Sequence, residues 1–353
     1  MLAPTFDRFP LVRKSSDDRL KNMVTLLKRD KYASGQALAA ELGLSRAAVW
    51  KQIRRLRQDG YRIEAKQGTG YRLVYSTSLP VPWELHQRLK TRFIGKHIIY
   101  HAVLDSTQRL ALAMAKDEKH PSTHGTVVIA ERQKSGRGRI ARKWVSPQGG
   151  LWLSVILKPQ MATSKSTIMP LAAAVAVCAS IRKGAGLDAT VKWPNDVLVN
   201  GKKVAGILMD LSAEADTINY LVVGIGINAN VDPTVIVRDI QDELRTEVTS
   251  LRAESGKDVN LLDFTTLLLT ELERCCDLIV KEDGPAQIIR LWKKMSDTIG
   301  SNIVVMPGQT AGQDRLICTA VDIDRDGSLV VRLPDGKYQH IVSGDISVIP
   351  ASK

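Results

Sequence analysis

The chain is poor in the residues that build metal sites. It has four cysteines, Cys178, Cys275, Cys276 and Cys318, and six histidines in 353 residues. No cysteines form a Cys-X-X-Cys pair and no histidine cluster completes a ligand set, so a zinc site is not indicated and the thiols read as buried and reduced. The first twenty residues lack the apolar core of a signal peptide, and no uninterrupted run of eighteen apolar residues occurs. Neither export nor membrane insertion is expected, which points to the cytoplasm and to no membrane partner. Internal repeats, low-complexity tracts, a Walker-type phosphate loop and a dinucleotide-binding glycine fingerprint are also absent.

What is present is ordinary in bulk and uneven in charge. Hydrophobic residues at 44% and charged residues at 25% describe a folded protein, and the length suits two or three domains. Residues 1–75 hold 16 Lys and Arg against 7 Asp and Glu, which accounts for nine of the thirteen net positive charges. A localised positive field attracts a phosphate backbone, so nucleic acid is the first partner to consider.

The pattern divides the chain into a flexible extension over 1–18, a first domain over 19–75, a linker over 76–82, an α+β enzyme core over 83–297 and a small β-barrel over 298–353. The linker contains Ser76-Thr77-Ser78-Leu79-Pro80. The core alternates strand-like runs, such as Leu151 to Leu157 and Tyr220 to Ile227, with helical stretches such as Met169 to Lys183. Short β runs after Thr298 are divided by Pro307-Gly308, Asp326-Gly327 and Asp335-Gly336 turns.

In the first domain, Gly35 to Arg54 spells a short helix, a turn at Gly43 and a second helix capped by Ser45 and ended by Asp59-Gly60. Val49, Ile53 and Leu56 recur at helical spacing and should pack inward, leaving a cationic exposed side. A helix-turn-helix places such a helix in the major groove. Ser45, Arg46, Ala47 and Trp50 are the candidate base-proximal residues, with Lys51 and Arg54 toward phosphates. Two strand-like runs joined by Lys66-Gln67-Gly68-Thr69 form a candidate wing that brings Lys66 to the DNA backbone.

The core carries its chemistry in separate segments. Ser135-Gly136-Arg137-Gly138-Arg139 combines glycines that let backbone approach an anion with guanidiniums that bind carboxylate or phosphate through paired hydrogen bonds. Val191-Lys192-Trp193-Pro194-Asn195-Asp196 precedes a hairpin turned at Asn200-Gly201, putting a lysine where it can stabilise charge as a carboxylate attacks the α-phosphate of ATP. Ser106 and Thr107 sit at the start of an Ala-rich helix, followed by Gln108; Gln133 precedes the arginine loop, and Gly224-Ile225-Gly226-Ile227-Asn228 is a glycine-bearing strand end.

Together these motifs resemble, in this order, the catalytic domain of bifunctional biotin–protein ligases that double as biotin-operon repressors; the turn and Arg-Ala-Ala-Val-Trp-Lys resemble their winged helix. The resemblance spans nearly all of residues 20–350. It implies a central ligase domain with a mixed sheet of the class II synthetase type and a C-terminal SH3-like barrel. It also implies that the substrates are biotin and ATP with Mg²⁺, the product biotinyl-5′-AMP, and the acceptor a lysine of the biotin carboxyl carrier protein of acetyl-CoA carboxylase. By the same resemblance Ser106, Thr107 and Gln133, with Gln108 beside them, would hydrogen-bond the biotin head, Gly136 to Arg139 would wrap its carboxyl end and the phosphate, and Lys192, Arg137 and Arg139 would act on the reacting groups. Gln108 stands where the family commonly has Asn, which puts its biotin contact in question. The adenylate-bound form is implied to dimerise on operator DNA and repress biotin synthesis genes. A sensor that no longer transfers biotin and a lipoate-type ligase are the rivals.

Overall fold

The computed structural model describes residues 14–119, 122–140, 142–238, 247–306, 316–342 and 344–348. The chain separates into two compact units. The first comprises residues up to Arg88 plus Asn260–Asp263, the second Leu89–Val259 and Phe264 onward.

The first unit is a three-helix domain with a β-hairpin. Leu20, Met23, Val24 and Leu27 recur at helical spacing on α1 (Lys14–Arg29) and are fully or almost fully buried. Helix α1 begins at Lys14, inside the stretch expected to be a flexible extension; residues 1–13 lie outside the described residues. Helix α2 (Gly35–Leu42) ends in the left-handed turn at Gly43, and Ser45 caps α3 (Arg46–Gln58) by accepting from Ala48 N at 3.2 Å. Val49, Ile53 and Leu56 are buried, as their spacing predicts. Strands β1 (Arg62–Lys66) and β2 (Gly70–Tyr75) pair antiparallel around the Lys66 to Thr69 turn.

This unit extends past the expected linker. Helix α4 (Pro82–Arg88) packs within it: Trp83 Nε1 donates to Tyr61 Oη at 2.7 Å, and Tyr61 donates to Glu84 Oε1 at 2.8 Å. Lys28 Nζ reaches the same carboxylate at 3.0 Å. Thr77, Val81 and Trp83 are buried, so the polar Ser-Thr-Ser stretch that suggests a linker is packed chain. Burial, followed by the hydrogen bond to Glu84, pushes the Tyr61 phenol far above its ordinary range.

The second unit is built on a mixed sheet of eight described strands, ordered β3 (Ile98–Leu104), β4 (Thr126–Arg137), β6 (Leu151–Leu157), β10 (Thr217–Ile227), β9 (Lys202–Glu214), β8 (Asp196–Val199) and β7 (Ala189–Lys192), with β5 (Lys143–Ser146) paired to β4. β3 and β4 run parallel; the other described pairs are antiparallel. Helix α5 (Thr107–Lys116) lays Ala111 on Val128, Ile156, Tyr220 and Val222. Helix α6 (Met169–Ala185) is buried from Met169 to Ile181 and packs on β7 to β9 and on α10 (Gly284–Met295). Among the described residues one helical segment, Thr163–Ala185, is long and apolar enough to cross a membrane, yet most of it is buried inside the protein as a core helix. Short helices α7 (Pro233–Arg238) and α8 (Leu251–Ser255) and the long α9 (Leu261–Ile279) complete the helical set.

A five-stranded antiparallel sheet follows, ordered β14 (Tyr338–Ile341), β13 (Leu329–Arg332), β12 (Leu316–Ile323), β11 (Asn302–Met306) and β15 (Asp345–Val348). Gly327 and Gly336 take φ of 84° and 85° in the Asp-Gly turns; the Pro307-Gly308 turn lies outside the described residues. All four cysteines are buried and unpaired, and burial pushes the Cys178 and Cys275 thiols up to about 11 and about 12.

Candidate functional site

The floor of the site is made by missing side chains. Along β10, Tyr220, Val222, Gly224 and Gly226 alternate onto one face of the sheet. Helix α5 covers the first two, and beyond its N-terminus the glycines leave the strand bare. A Cβ on Gly224 would lie 2.4 Å from Gln108 Oε1, and one on Gly226 would lie 2.5 Å from Trp144 Nε1. Gly206, paired with Gly226 across β9 and β10, would put its Cβ 2.8 Å from the same indole. Trp144 therefore lies across two glycines, a close approach that any larger residue blocks.

One wall is a polar chain. Ser106 caps α5 through Arg109 N, and Thr107 donates from both N and Oγ1 to Gln133 Oε1 at 2.8 and 3.2 Å. Gln133 Nε2 donates to Ser146 Oγ at 2.7 Å. Ser154 Oγ stands 2.9 Å from both Thr107 Oγ1 and Gln108 Oε1. Gln108, in the pocket wall, turns its amide nitrogen to Asp210 Oδ2 at 2.9 Å and Val222 O at 3.0 Å, so those donors serve the protein.

The opposite wall is cationic. The Asn200-Gly201 turn has positive φ at both residues, 51° and 73°, as a tight hairpin of β8 and β9 requires. It carries Lys203, whose Nζ is 2.8 Å from Asp196 Oδ1 and 5.2 Å from the centre of the Trp144 ring. Lys192 ends β7 and is buried, 7% exposed. Trp193 anchors this hairpin to the C-terminal sheet region, donating from N to Thr298 Oγ1 and from Nε1 to Gly327 O. Arg139 Nη1 donates to Asn195 Oδ1 at 3.0 Å and to Gly344 O at 3.3 Å.

These walls enclose a cleft of about 1020 Å³ within the second unit. Of the residues singled out from sequence, Ser106, Thr107, Gln108, Gln133, Arg137, Gly138, Arg139 and Lys192 all line it. Gly136 stands behind the wall in β4, where a Cβ would meet Trp144 O at 2.4 Å. Trp144, the last residue of the arginine-loop segment that starts at Ser135, lines the cleft too, and Gly206 and Lys203 complete the site without having been singled out. A glycine inside the Val204 to Leu208 strand run was the available signal for Gly206; Lys203, in a Lys-Lys pair beside a turn, carried none. No group of three or more His, Cys, Asp and Glu that could hold a metal occurs among the described residues.

The first unit presents a separate surface. Ser45, Arg46, Ala47, Trp50, Lys51 and Arg54 are all exposed on one side of α3, and Lys66 is exposed at the tip of the hairpin. Trp50 is 52% exposed, with the Arg54 guanidinium 5.7 Å from its ring centre.

Residues 100–228 match the family described as Biotin/lipoate A/B protein ligase, residues 19–72 match an HTH domain, and residues 318–348 match the Biotin protein ligase C terminal domain. Over 334 residues the chain is 36% identical to the bifunctional ligase/repressor BirA of Bacillus subtilis, an alignment covering 93% of this chain and 98% of that protein. The protein of the same description from Escherichia coli is 28% identical over 334 residues, covering 94% and 97%. Among solved structures, the biotin protein ligase from Aquifex aeolicus in complex with biotin and ATP matches with a TM-score of 0.58 at 26% identity, over 72% of this chain and all of that one.

Proposed function

The chain belongs to the biotin/lipoate A/B protein ligase family, and from that premise we infer that it is a biotin–protein ligase and a DNA-binding repressor in one polypeptide. It joins biotin and ATP to biotinyl-5′-AMP and passes the biotin to a lysine of a biotin carboxyl carrier protein. The observation that carries this reading is the convergence of segments from Ser106 to Asn228 on one cleft, in a chain that matches full-length ligase/repressors through its helix-turn-helix as well.

The chemistry distributes over the walls. Ser106, Thr107 and Gln133 present the polar edge that a ureido ring needs, and Gln108 holds that edge in place. In the first step a biotin carboxylate oxygen attacks the α-phosphorus of ATP and pyrophosphate leaves. Arg137 and Arg139 meet the carboxyl and phosphate oxygens, and Lys192 and Lys203 flank them with ammonium charge where negative charge develops. Both line the cleft: Lys203 sets its ammonium over the half-buried Trp144 indole and pairs with Asp196, and Lys192 stands buried at the end of β7. In the second step the carrier lysine amine attacks the acyl carbon, AMP leaves, and the proton goes to solvent. The arginine loop keeps water from the mixed anhydride meanwhile. Asp196, which pairs with Lys203, and Glu247 are the carboxylates lining the cleft that would hold a Mg²⁺ bound with the nucleotide, and such an ion would neutralise phosphate charge while keeping most of its water.

The ligase core that follows α4 is of the class II synthetase type, and the sheet within 298–353 is an SH3-like barrel; the winged helix, α1 to β2, shares the first unit with α4. Arg46, Ala47 and Trp50 reach base edges of an operator, and Lys51, Arg54 and Lys66 hold phosphates. The protein works in the cytoplasm, and adenylate favours a homodimer that sets two winged helices on a two-fold operator. ATP–pyrophosphate exchange tests the substrate: exchange dependent on biotin is expected, and exchange supported by lipoate but not biotin would overturn the reading.

A further inference from the structure

Asn195 is the one polar member of the Lys-Trp-Pro-Asn-Asp segment, besides the charged pair at its ends, and has no part in the chemistry above. Its surroundings leave its amide one orientation. Asn195 O accepts from Ile207 N at 2.9 Å, and Asn195 Nδ2 donates to Ile207 O at 2.7 Å. With the nitrogen committed to a carbonyl, Oδ1 is the atom that faces Arg139, and it accepts from Arg139 Nη1 at 3.0 Å. The same guanidinium reaches the carbonyl of Gly344 at the start of β15.

Arg139 sits on a tight turn in which Gly138 N donates to Arg142 O and Arg142 N to Arg139 O. That turn sets the backbone and leaves a long side chain with several rotamers to choose from. We propose that Asn195 is a positioning residue for Arg139: its carboxamide, locked by Ile207, aims the guanidinium into the cleft, with the Gly344 carbonyl as the second point of a two-point rest. The ligand is the phosphate end of ATP and of the adenylate. A pre-aimed fork costs less ordering at the moment of binding, so the effect falls on nucleotide affinity and on retention of the adenylate, and less on biotin, whose polar head is held by the opposite wall. This inference rests on the ligase reading.

A double-mutant cycle on full-length protein tests it, with kcat/KM for ATP, KM for biotin and dissociation of preformed biotinyl-5′-AMP as readouts. N195A is expected to lower kcat/KM for ATP about tenfold in the wild type and less than about twofold in R139A, the signature of two residues acting as one. N195D keeps an oxygen toward Arg139 but loses the donor to Ile207 and sets a carboxylate oxygen against that carbonyl, so it breaks the lock while the acceptor stays. It is expected to lower kcat/KM for ATP by at least about threefold in the wild type and less than about twofold in R139A, each protein being assayed below its own melting temperature. Equal costs on both backgrounds, for N195A or for N195D, overturn the proposal and leave Asn195 a hairpin brace. A wild type that makes no biotinyl-adenylate overturns the ligase reading itself, an outcome distinct from additive costs in an active enzyme.

Discussion

Trp144 and its glycines make the sharpest demands of any single residues in the site. G226A would press a methyl against Trp144 Nε1, and relieving an overpacked contact of this kind costs about 1–3 kcal/mol. The expected result is a fall of a few degrees in Tm together with at least about a tenfold loss in adenylation, since the displaced indole carries Lys203 with it. A variant with wild-type rates would show that the indole does not set the cleft. For the two lysines, K203A is expected to slow biotinyl-adenylate formation by about a hundredfold or more, in the range for removal of one electrostatic stabiliser. K192A is expected to slow it as well and to lower Tm, because its buried position makes it part of the framework; stopped-flow adenylation with parallel melting curves separates the two. These residues also mark what sequence can and cannot convey. Ser106, Thr107, Gln133 and the arginines were legible because glycine spacing and a helix start advertise them. Trp144 and Lys203 acquire their roles only when β5 folds over β9 and β10, a pairing that no local pattern announces.

At the scale of elements, helix α3 was readable almost in full, since the Ser45 cap, the Gly43 turn and the spacing of Val49, Ile53 and Leu56 are local signals and the structure realises each. R46A is expected to weaken operator binding by about 1–3 kcal/mol if it meets a base edge, with adenylation unchanged; gel shift and exchange assays on the same preparation check both. The end of the first unit was not readable, because the Ser-Thr-Ser stretch carries loop composition while Thr77 is buried beside Gly60 and Ser78 O accepts from the distant Leu262 N. A second tie lies between α9 and the turn before Ile94. Glu273 loses solvation there but accepts from the backbone nitrogens of Arg92, Phe93 and Ile94 at 2.6, 2.9 and 2.9 Å, and the net effect holds its carboxyl below the ordinary range. A depressed carboxyl stabilises the fold above the ordinary carboxylate pKa and loses that contribution as pH falls through the folded value. E273Q is therefore expected to cost about 1–3 kcal/mol near pH 7, with the gap to wild type closing as pH falls through the depressed folded value. A pH-independent gap would mean that the carboxylate charge is not what α9 uses.

The whole molecule holds a cleft lined with arginines and lysines in one compact unit and a cationic helix in the other. Coupling between them requires that biotinyl-adenylate bind the dimer-competent state better than the alternative, since a ligand shifts an equilibrium only by its differential affinity. Operator affinity measured with and without biotin plus ATP is expected to rise with the ligands, and to fall steeply with salt because phosphate contacts release counterions. Beneath that coupling lies the claim that the cleft performs both half-reactions. The most direct measurement is incubation of the purified protein with biotin, Mg-ATP and apo carrier protein, followed by mass spectrometry of the carrier and of the small molecules. Carrier modified by one biotin on a lysine, with AMP released, is the predicted result. Biotinyl-5′-AMP with an unmodified carrier would contradict it and leave a sensor that has kept the first half of the reaction only.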